Sequence, residues 1–381
     1  MLIPYGKQSI DNDDIKYVLR SLKSDYLTQG PLVDKFESEI SKKFKCKFTT
    51  VVSNASAALF LIGKILKWKK GDLIAVSPIT FISSVNSIEH CGAKPLFVDI
   101  NLTNYCMDPT KLEEELRKDK NKKIKAAIIT DYAGHPADWK KFDIIKKKFN
   151  IKLINDCCHS MGSSINNDIG YAAKFADLVS LSFHPVKAIT TGEGGAILSN
   201  NSIYDRQAKI LRSHGIIRKK NTFWHYNVFK LGYNFRLPDL NCALGLSQIK
   251  KLNKFIKKRR EIAKIYDNLF IDKNKFTIIK NNNNIKNSYH LYPLLVNFKH
   301  IKKTKIQVIK EFLKNKIKLQ VHYIPVNLQP YYKRKYRISK NKIKNSFFFY
   351  QRQISLPIYY DLSLKHLSHI KKVCKKVLKI F

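Results

Sequence analysis

The chain has 381 residues and carries 71 Lys+Arg against 29 Asp+Glu, a formal net charge of +42. With 44% hydrophobic and 12% aromatic residues it holds too much apolar surface for a disordered or collagen-like protein, and its length allows one large or two medium domains. No apolar stretch is long enough to span a bilayer, and the opening MLIPYGKQSIDNDD meets acidic residues with no apolar run behind a basic flank, so a membrane anchor and a signal peptide are not expected and the protein reads as cytoplasmic.

Asp11 to Asp14 precede apolar residues at Ile15, Val18, Leu19 and Leu22, which predicts a helix with negative charge at its positive end. The loop Tyr26–Pro31 follows, then an amphipathic helix from Leu32 to Phe44 and a turn at Ser53–Ser56 that opens a third helix through Leu66. From there short apolar runs alternate with helical stretches. Leu73–Val76, Pro95–Val98, Ala126–Thr130, Lys152–Ile154 and Leu178–Phe183 read as buried strands, and Ser83–His90, Leu112–Arg117 and Asp138–Phe149 as the helices around them. Such alternation predicts an α/β protein with a large, mostly parallel sheet covered on both faces, whose sites gather at the carboxyl ends of strands. Gly194–Ser199 adds a strand too close behind Leu178–Phe183 for a helical crossover, so that pair is expected to be antiparallel. A long helix then runs through Lys250 to Asn268. Phe276–Ile279, Tyr289–Val296 and Leu319–His322 read as strands of a smaller C-terminal α/β unit, with Asn281–Asn284 in a surface loop. The expected boundary is near residue 245, giving a large domain 1–245 and a small domain 246–381.

Basic runs such as Lys257-Lys258-Arg259-Arg260 fall within predicted helices and read as solvated faces, so nucleic acid is not the expected partner. The seven cysteines form neither a C-x-x-C pair nor a Cys/His cluster at zinc spacing, which points to a reducing compartment with no disulfide framework and no metal. Cys157-Cys158 reads as a pair of packing residues.

The chemistry is concentrated in Ser180-Leu181-Ser182-Phe183-His184-Pro185-Val186-Lys187-Ala188-Ile189-Thr190-Thr191-Gly192-Glu193-Gly194-Gly195. Lys187 lies beyond a buried strand in a Gly/Thr loop, a poor place for a solubilising charge and a good one for an amine that condenses with an aldehyde. Asp156 ends the neighbouring strand. A carboxylate there could keep the ring nitrogen of pyridoxal phosphate protonated, and so keep the ring an electron sink. The small residues and free N–H groups of Ser53-Asn54-Ala55-Ser56, at a helix start, suit a phosphate, with Ser182 as a second hydroxyl. Phe81 could stack on the ring.

With these residues in this order, the chain resembles the sugar aminotransferases of the DegT/DnrJ/EryC1 family, within the fold-type-I pyridoxal-phosphate enzymes. The likeness runs from Tyr5 through Leu27-Thr28-Gln29-Gly30-Pro31 to Ile354-Ser355-Leu356-Pro357. Motifs such as Asp131-Tyr132-Ala133-Gly134, Asn234-Phe235-Arg236-Leu237 and His290-Leu291-Tyr292-Pro293 look like those of the transaminases of pseudaminic acid synthesis. The resemblance implies that Lys187 holds the cofactor through its amine and later shuttles a proton, that Asp156 pairs with the ring nitrogen, and that His159 lies near the ring hydroxyl. It implies that Ala55, Ser56 and Ser182 hold the phosphate, and that Asn234 completes the cup from a partner subunit, hence a homodimer with shared sites. For the nucleotide sugar it points to Tyr5, to Asp25, Tyr26, Leu27 and Thr28, to Asn234 and Tyr292, and to His322, Tyr323, Ile324 and Pro325. The implied substrates are a UDP-sugar ketone and L-glutamate. A pyridoxamine-dependent sugar dehydratase, the related alternative, carries histidine where this chain has Lys187. A basic DNA-binding regulator is the alternative from another class.

Overall fold

The structure, a computed structural model, describes residues 2–218, 222, 224–271 and 273–380. Helix α1 (Asn12–Leu22) is capped by Asp11, whose carboxylate accepts from the amides of Asp13 and Asp14, while Asp14 accepts from the Asp11 amide. Helix α2 (Pro31–Phe44) starts on a proline, and is followed by β1 (Phe48–Val52), α3 (Ala55–Ile65), β2 (Leu73–Val76), α4 (Ile82–His90), β3 (Lys94–Phe97), α5 (Pro109–Lys118), β4 (Ile124–Thr130), α6 (Trp139–Phe149) and β5 (Lys152–Asp156). The short β6 (Ser164–Ile165) and α7 (Tyr171–Phe175) lead to β7 (Leu178–Ser182), β8 (Gly195–Ser199), α8 (Ser202–Arg212) and the hairpin of β9 (Ile216–Arg218) and β10 (Tyr226–Val228). Helix α9 (Asp239–Phe270) crosses to β11 (Phe276–Thr277), β12 (Ile285–Lys286), β13 (Tyr292–Val296), α10 (Lys305–Lys314), α11 (Pro330–Tyr336), α12 (Lys344–Arg352), β14 (Gln353–Leu356) and α13 (Leu364–Leu378).

The large sheet has seven strands in the order β1-β8-β7-β5-β4-β2-β3. It is parallel except at β8, which runs antiparallel to both neighbours as the short β7–β8 connection predicts. Strands β4, β5 and β7 carry apolar residues on both faces, because helices cover both sides of the sheet. Edge strand β1 is absent from the expected set: its Thr49 and Thr50 break the apolar run, and only pairing with β8 fixes it as a strand.

A second, antiparallel sheet, β11-β13-β14, forms the smaller unit. Three expectations there need correction. Leu319–His322 is not a strand; Gln320 alone bridges Ser355. The strand expected from Tyr289 begins at Tyr292, since Tyr289 takes a positive φ of 51° that breaks the extended run, and the strand expected over Phe276–Ile279 stops at Thr277. Residue 245 lies inside the 32-residue helix α9. The first part of that helix buries Leu246, Ile249, Leu252 and Ile256 against the large sheet, and its last part buries Ile262, Tyr266 and Phe270 in the core of the small one. The C-terminal segment also reaches back, placing Tyr332, Ile343 and Phe349 in clusters centred on the large sheet. Among the described residues no helix is long and apolar enough to cross a membrane.

Candidate active site

The carboxyl ends of β5 and β7 open onto a cavity of about 650 Å³ at the junction of the two sheets. Ten of the residues singled out in the sequence line it: Tyr5, Ala55, Ser56, Phe81, Asp156, His159, Ser182, Lys187, His322 and Tyr323. Asp156 is the last residue of β5, directly opposite Ser180 of β7, and Lys187 follows β7 in the loop that turns back into β8. The two groups required to face one ring therefore share one cavity.

Asp156 is buried, and its carboxylate accepts from Ser84 Oγ at 2.8 Å, Thr130 Oγ1 at 3.4 Å and the Cys158 amide at 3.3 Å. No lysine or arginine pairs with it among the described residues. A buried carboxylate with no lysine or arginine pair lacks the cation that would balance it, which a protonated ring nitrogen would supply. Lys187 is partly buried; loss of solvent pushes its amine below the ordinary lysine range, against the opposing pull of Cys158 and Asp156. A lowered amine pKa suits attack on an aldehyde.

The end of the cavity expected to take the phosphate is built by α3. Asn54 caps the helix by accepting from the Ala57 amide at 2.8 Å, which leaves the first-turn amides of Ala55 and Ser56 without helical partners. The Ser56 hydroxyl accepts from Ser83 at 2.6 Å. Gly195 lets β8 approach this turn: a Cβ there would lie 2.5 Å from the Asn54 carbonyl carbon and 2.6 Å from the Ala55 nitrogen. Aldehyde-seeking amine, unpaired carboxylate and anion-ready helix start together fit pyridoxal phosphate.

The roof is aromatic and imidazole-rich. Phe81 is half exposed over the cavity, its ring 6.1 Å from that of Tyr323. His159 accepts from the Ala133 amide through Nδ1 at 3.3 Å, and its Nε2 lies 3.0 Å from the Tyr323 hydroxyl. Burial, then the nearby Lys187 and His322, holds His159 well below the usual histidine range. His322 bonds Ser355 through Nδ1 at 2.8 Å, and burial followed by Lys187 lowers it to about 3.

Other sequence-selected residues lie elsewhere. Tyr292 is not brought to the cavity: strand alternation turns it into the small core, where its hydroxyl donates to Asp267 at 2.7 Å. His290, two residues earlier in the same motif, is the one that lines the site, with Nε2 at 3.4 Å from Lys187 Nζ. Asp25, Tyr26, Leu27 and Thr28 form an exposed loop outside the cavity, Asn234 is exposed beside Ser213, and Ile324 and Pro325 do not line the cavity. Cys158 corrects the packing expectation, since it lines the cavity while Cys157 is core. Ser84 and Thr130 were not legible either, because each sits at an ordinary position in a helix or strand and acquires its role only by meeting Asp156. Among the described residues no group of three or more metal-ligating side chains is arranged to hold an ion.

Residues 8–377 match the model of the DegT/DnrJ/EryC1/StrS aminotransferase family. The chain is 36% identical over 377 residues to the UDP-4-amino-4,6-dideoxy-N-acetyl-β-L-altrosamine transaminase of Campylobacter jejuni, covering 99% of this chain and 98% of that one. The solved structure of Helicobacter pylori PseC, an aminotransferase of pseudoaminic acid biosynthesis, superimposes with a TM-score of 0.92 at 31% identity and full coverage of both chains. A sugar aminotransferase-like structure from Streptococcus pneumoniae, solved in its PLP form, follows at a TM-score of 0.90 and 26% identity, covering 100% of this chain and 99% of that one. With that agreement over nearly its whole length, the chain belongs to the DegT/DnrJ/EryC1/StrS aminotransferase family and is a pyridoxal-phosphate-dependent sugar aminotransferase.

Proposed function

We propose that the enzyme moves an amino group from L-glutamate to C4 of UDP-2-acetamido-2,6-dideoxy-β-L-arabino-hex-4-ulose, a UDP-linked 4-keto-6-deoxy-N-acetylhexosamine. The product is UDP-4-amino-4,6-dideoxy-N-acetyl-β-L-altrosamine, for pseudaminic acid synthesis in the cytoplasm. The observation that carries the reaction class is the meeting of Lys187 and Asp156 in one cavity. The choice of sugar is supported by full-length similarity to transaminases of that name from Campylobacter jejuni and, at 32% identity, Helicobacter pylori.

Bound pyridoxal phosphate supplies an electrophilic aldehyde and an electron sink. The chain does the rest. Asp156 would hold a proton at the ring nitrogen, and Ser84 and Thr130 hold Asp156 in place. Ala55, Ser56 and Ser182 would cradle the phosphate and so hold the cofactor in the cavity that Lys187 lines. The Lys187 amine would hold the cofactor through its aldehyde and, when free, would serve as the base and acid that moves the proton in each half-reaction. Tyr5 and the His322–Tyr323 edge bind the sugar nucleotide, and binding energy from the remote UDP orients the ketone.

The homodimer is part of the same reading. Asp25–Thr28 and Asn234 point to solvent in their own chain, which suits residues that serve a partner's cavity. Val228, Phe229 and Leu231 near the β9–β10 hairpin are 56%, 71% and 83% exposed, an apolar edge suited to burial against a second copy. The test is incubation with glutamate and a panel of UDP- and dTDP-ketosugars, read by mass spectrometry, beside Lys187→Ala. Amination of the 4-keto arabino-hexulose by the wild type, with turnover and visible cofactor absorbance lost in the variant, is expected. No product from that sugar would retire this substrate, and full activity in the variant would retire the role of Lys187.

A further inference from the structure

Lys187 Nζ lies 3.4 Å from Nε2 of His290, a residue to which the mechanism above gives no task. The His290 ring is buried, its centroid 4.4 Å from that of His159, and its other nitrogen, Nδ1, has no hydrogen-bond partner. Two proton arrangements satisfy the contact. In the first, Lys187, charged or not, donates to Nε2, and the ring proton sits on Nδ1 as a buried N–H with nothing to donate to. In the second, Nε2–H donates to the lone pair of an uncharged amine, and only a lone pair is left over at Nδ1. An orphaned buried donor is the rarer and costlier defect.

The surrounding charges favour the second arrangement as well. Arg259 of α9 is buried and has no carboxylate partner among the described residues; its Nη1 donates to the carbonyls of Tyr289, His290 and Ile358 at 3.3, 3.3 and 2.8 Å. Its guanidinium is thereby fastened to the backbone of His290, and it lines a small gap together with Lys187. A fixed positive charge there opposes a second one on the amine or the imidazole. His159 and His322 likewise oppose a charge on His290, whereas Asp156 and Cys158, from the end of β5, favour a charge on Lys187. His184, Glu193, Tyr5 and Tyr323 complete the titratable set lining the cavity.

We propose that His290 is a positioning residue for Lys187, its Nε2–H donating to the amine so that the amine is kept uncharged and aimed into the cavity. This rests on Lys187 being the reacting amine. In cofactor-free protein, acetic anhydride labelling of Lys187, followed against pH by mass spectrometry of its peptide, reads the protonation of that amine directly. His290→Phe keeps a buried ring and removes the donor, whereas His290→Gln places an amide N–H near the Nε2 position. The Phe variant is expected to raise the labelling midpoint and slow labelling at pH 7 by about tenfold, one unit of pKa, with the Gln variant near wild type. An unchanged or lowered midpoint in the Phe variant, or equal rises in both, overturns the proposal. Thermal unfolding is recorded for each. If the Phe variant does not fold, His290→Asn, whose amide is too short to reach Nζ, replaces it under the same criteria. Labelling uses neither cofactor nor sugar, so a wild type that makes no amino sugar would count against the proposed function and leave this comparison intact.

Discussion

Asp156 and His322 carry the two effects most open to single-residue tests. Asp156→Asn keeps the shape and the Ser84 contact but removes the negative charge that, in the proposed function, holds a proton on the cofactor ring. Turnover is expected to fall by about 100-fold or more, the scale of losing one preorganised charge contact in a dry site. The unfolding midpoint of the cofactor-free variant should hold or rise, because an unbalanced buried carboxylate has been neutralised; paired turnover and thermal-melt measurements check both halves. His322 has its pKa lowered from 6.5 to about 3 by burial and then by Lys187. Below pH 6.5 the unfolded chain binds a proton that the folded chain refuses. The stability tied to His322 is therefore complete above about pH 6.5 and is lost as pH falls toward 3, at roughly 1.4 kcal/mol per pH unit. His159, His290 and His135 are lowered in the same direction by burial and add to the slope. Urea midpoints at pH 7.5 and 5.5 should fall steeply in the wild type and less in His322→Gln.

At the level of elements, the proposed phosphate cradle depends on how closely β8 approaches the start of α3. Gly195→Ala would drive a Cβ into the backbone of Asn54 and Ala55, which cannot rotate away as a side chain could. A loss of about 1–3 kcal/mol is expected from the forced shift, together with weaker cofactor retention, measured by denaturant unfolding and by release of pyridoxal phosphate on dialysis. Much of this level was legible from periodicity. The strand and helix alternation through Ser199 and the antiparallel β7–β8 pair are local consequences of apolar spacing and connection length. What failed was strand identity where pairing decides it. The FTTVV segment of β1 has no independent apolar pattern, and Leu319–His322 has one but meets only a single bridge to β14. In His290-Leu291-Tyr292-Pro293 both polar rings lie within one motif, and the turn at Tyr289 together with the pleat decides which one enters the cavity and which one enters the core.

For the whole molecule, α9 joins the two sheets as a single 32-residue rod, packed on the large core at one end and on the small core at the other. Arg259 lies on that rod and touches carbonyls of the segment that carries His290, so the relative placement of the sheets is transmitted directly to the site. The proposed dimer gives the assembly test. Phe229→Asp combined with Leu231→Asp should shift the molecular mass measured by light scattering toward that of one chain and reduce amination, while circular dichroism remains unchanged. The sequence alone determined the α/β class and the large sheet and singled out Lys187 and Asp156, because each follows from local apolar period, strand ends and residue type. Only the tertiary structure decided that the carboxylate is steadied by Ser84 and Thr130, that His290 rather than Tyr292 faces the amine, and that the C-terminal segment returns to the large core. Those contacts join residues distant in the chain through burial and register, and no window of sequence records which distant partner a buried side chain will meet.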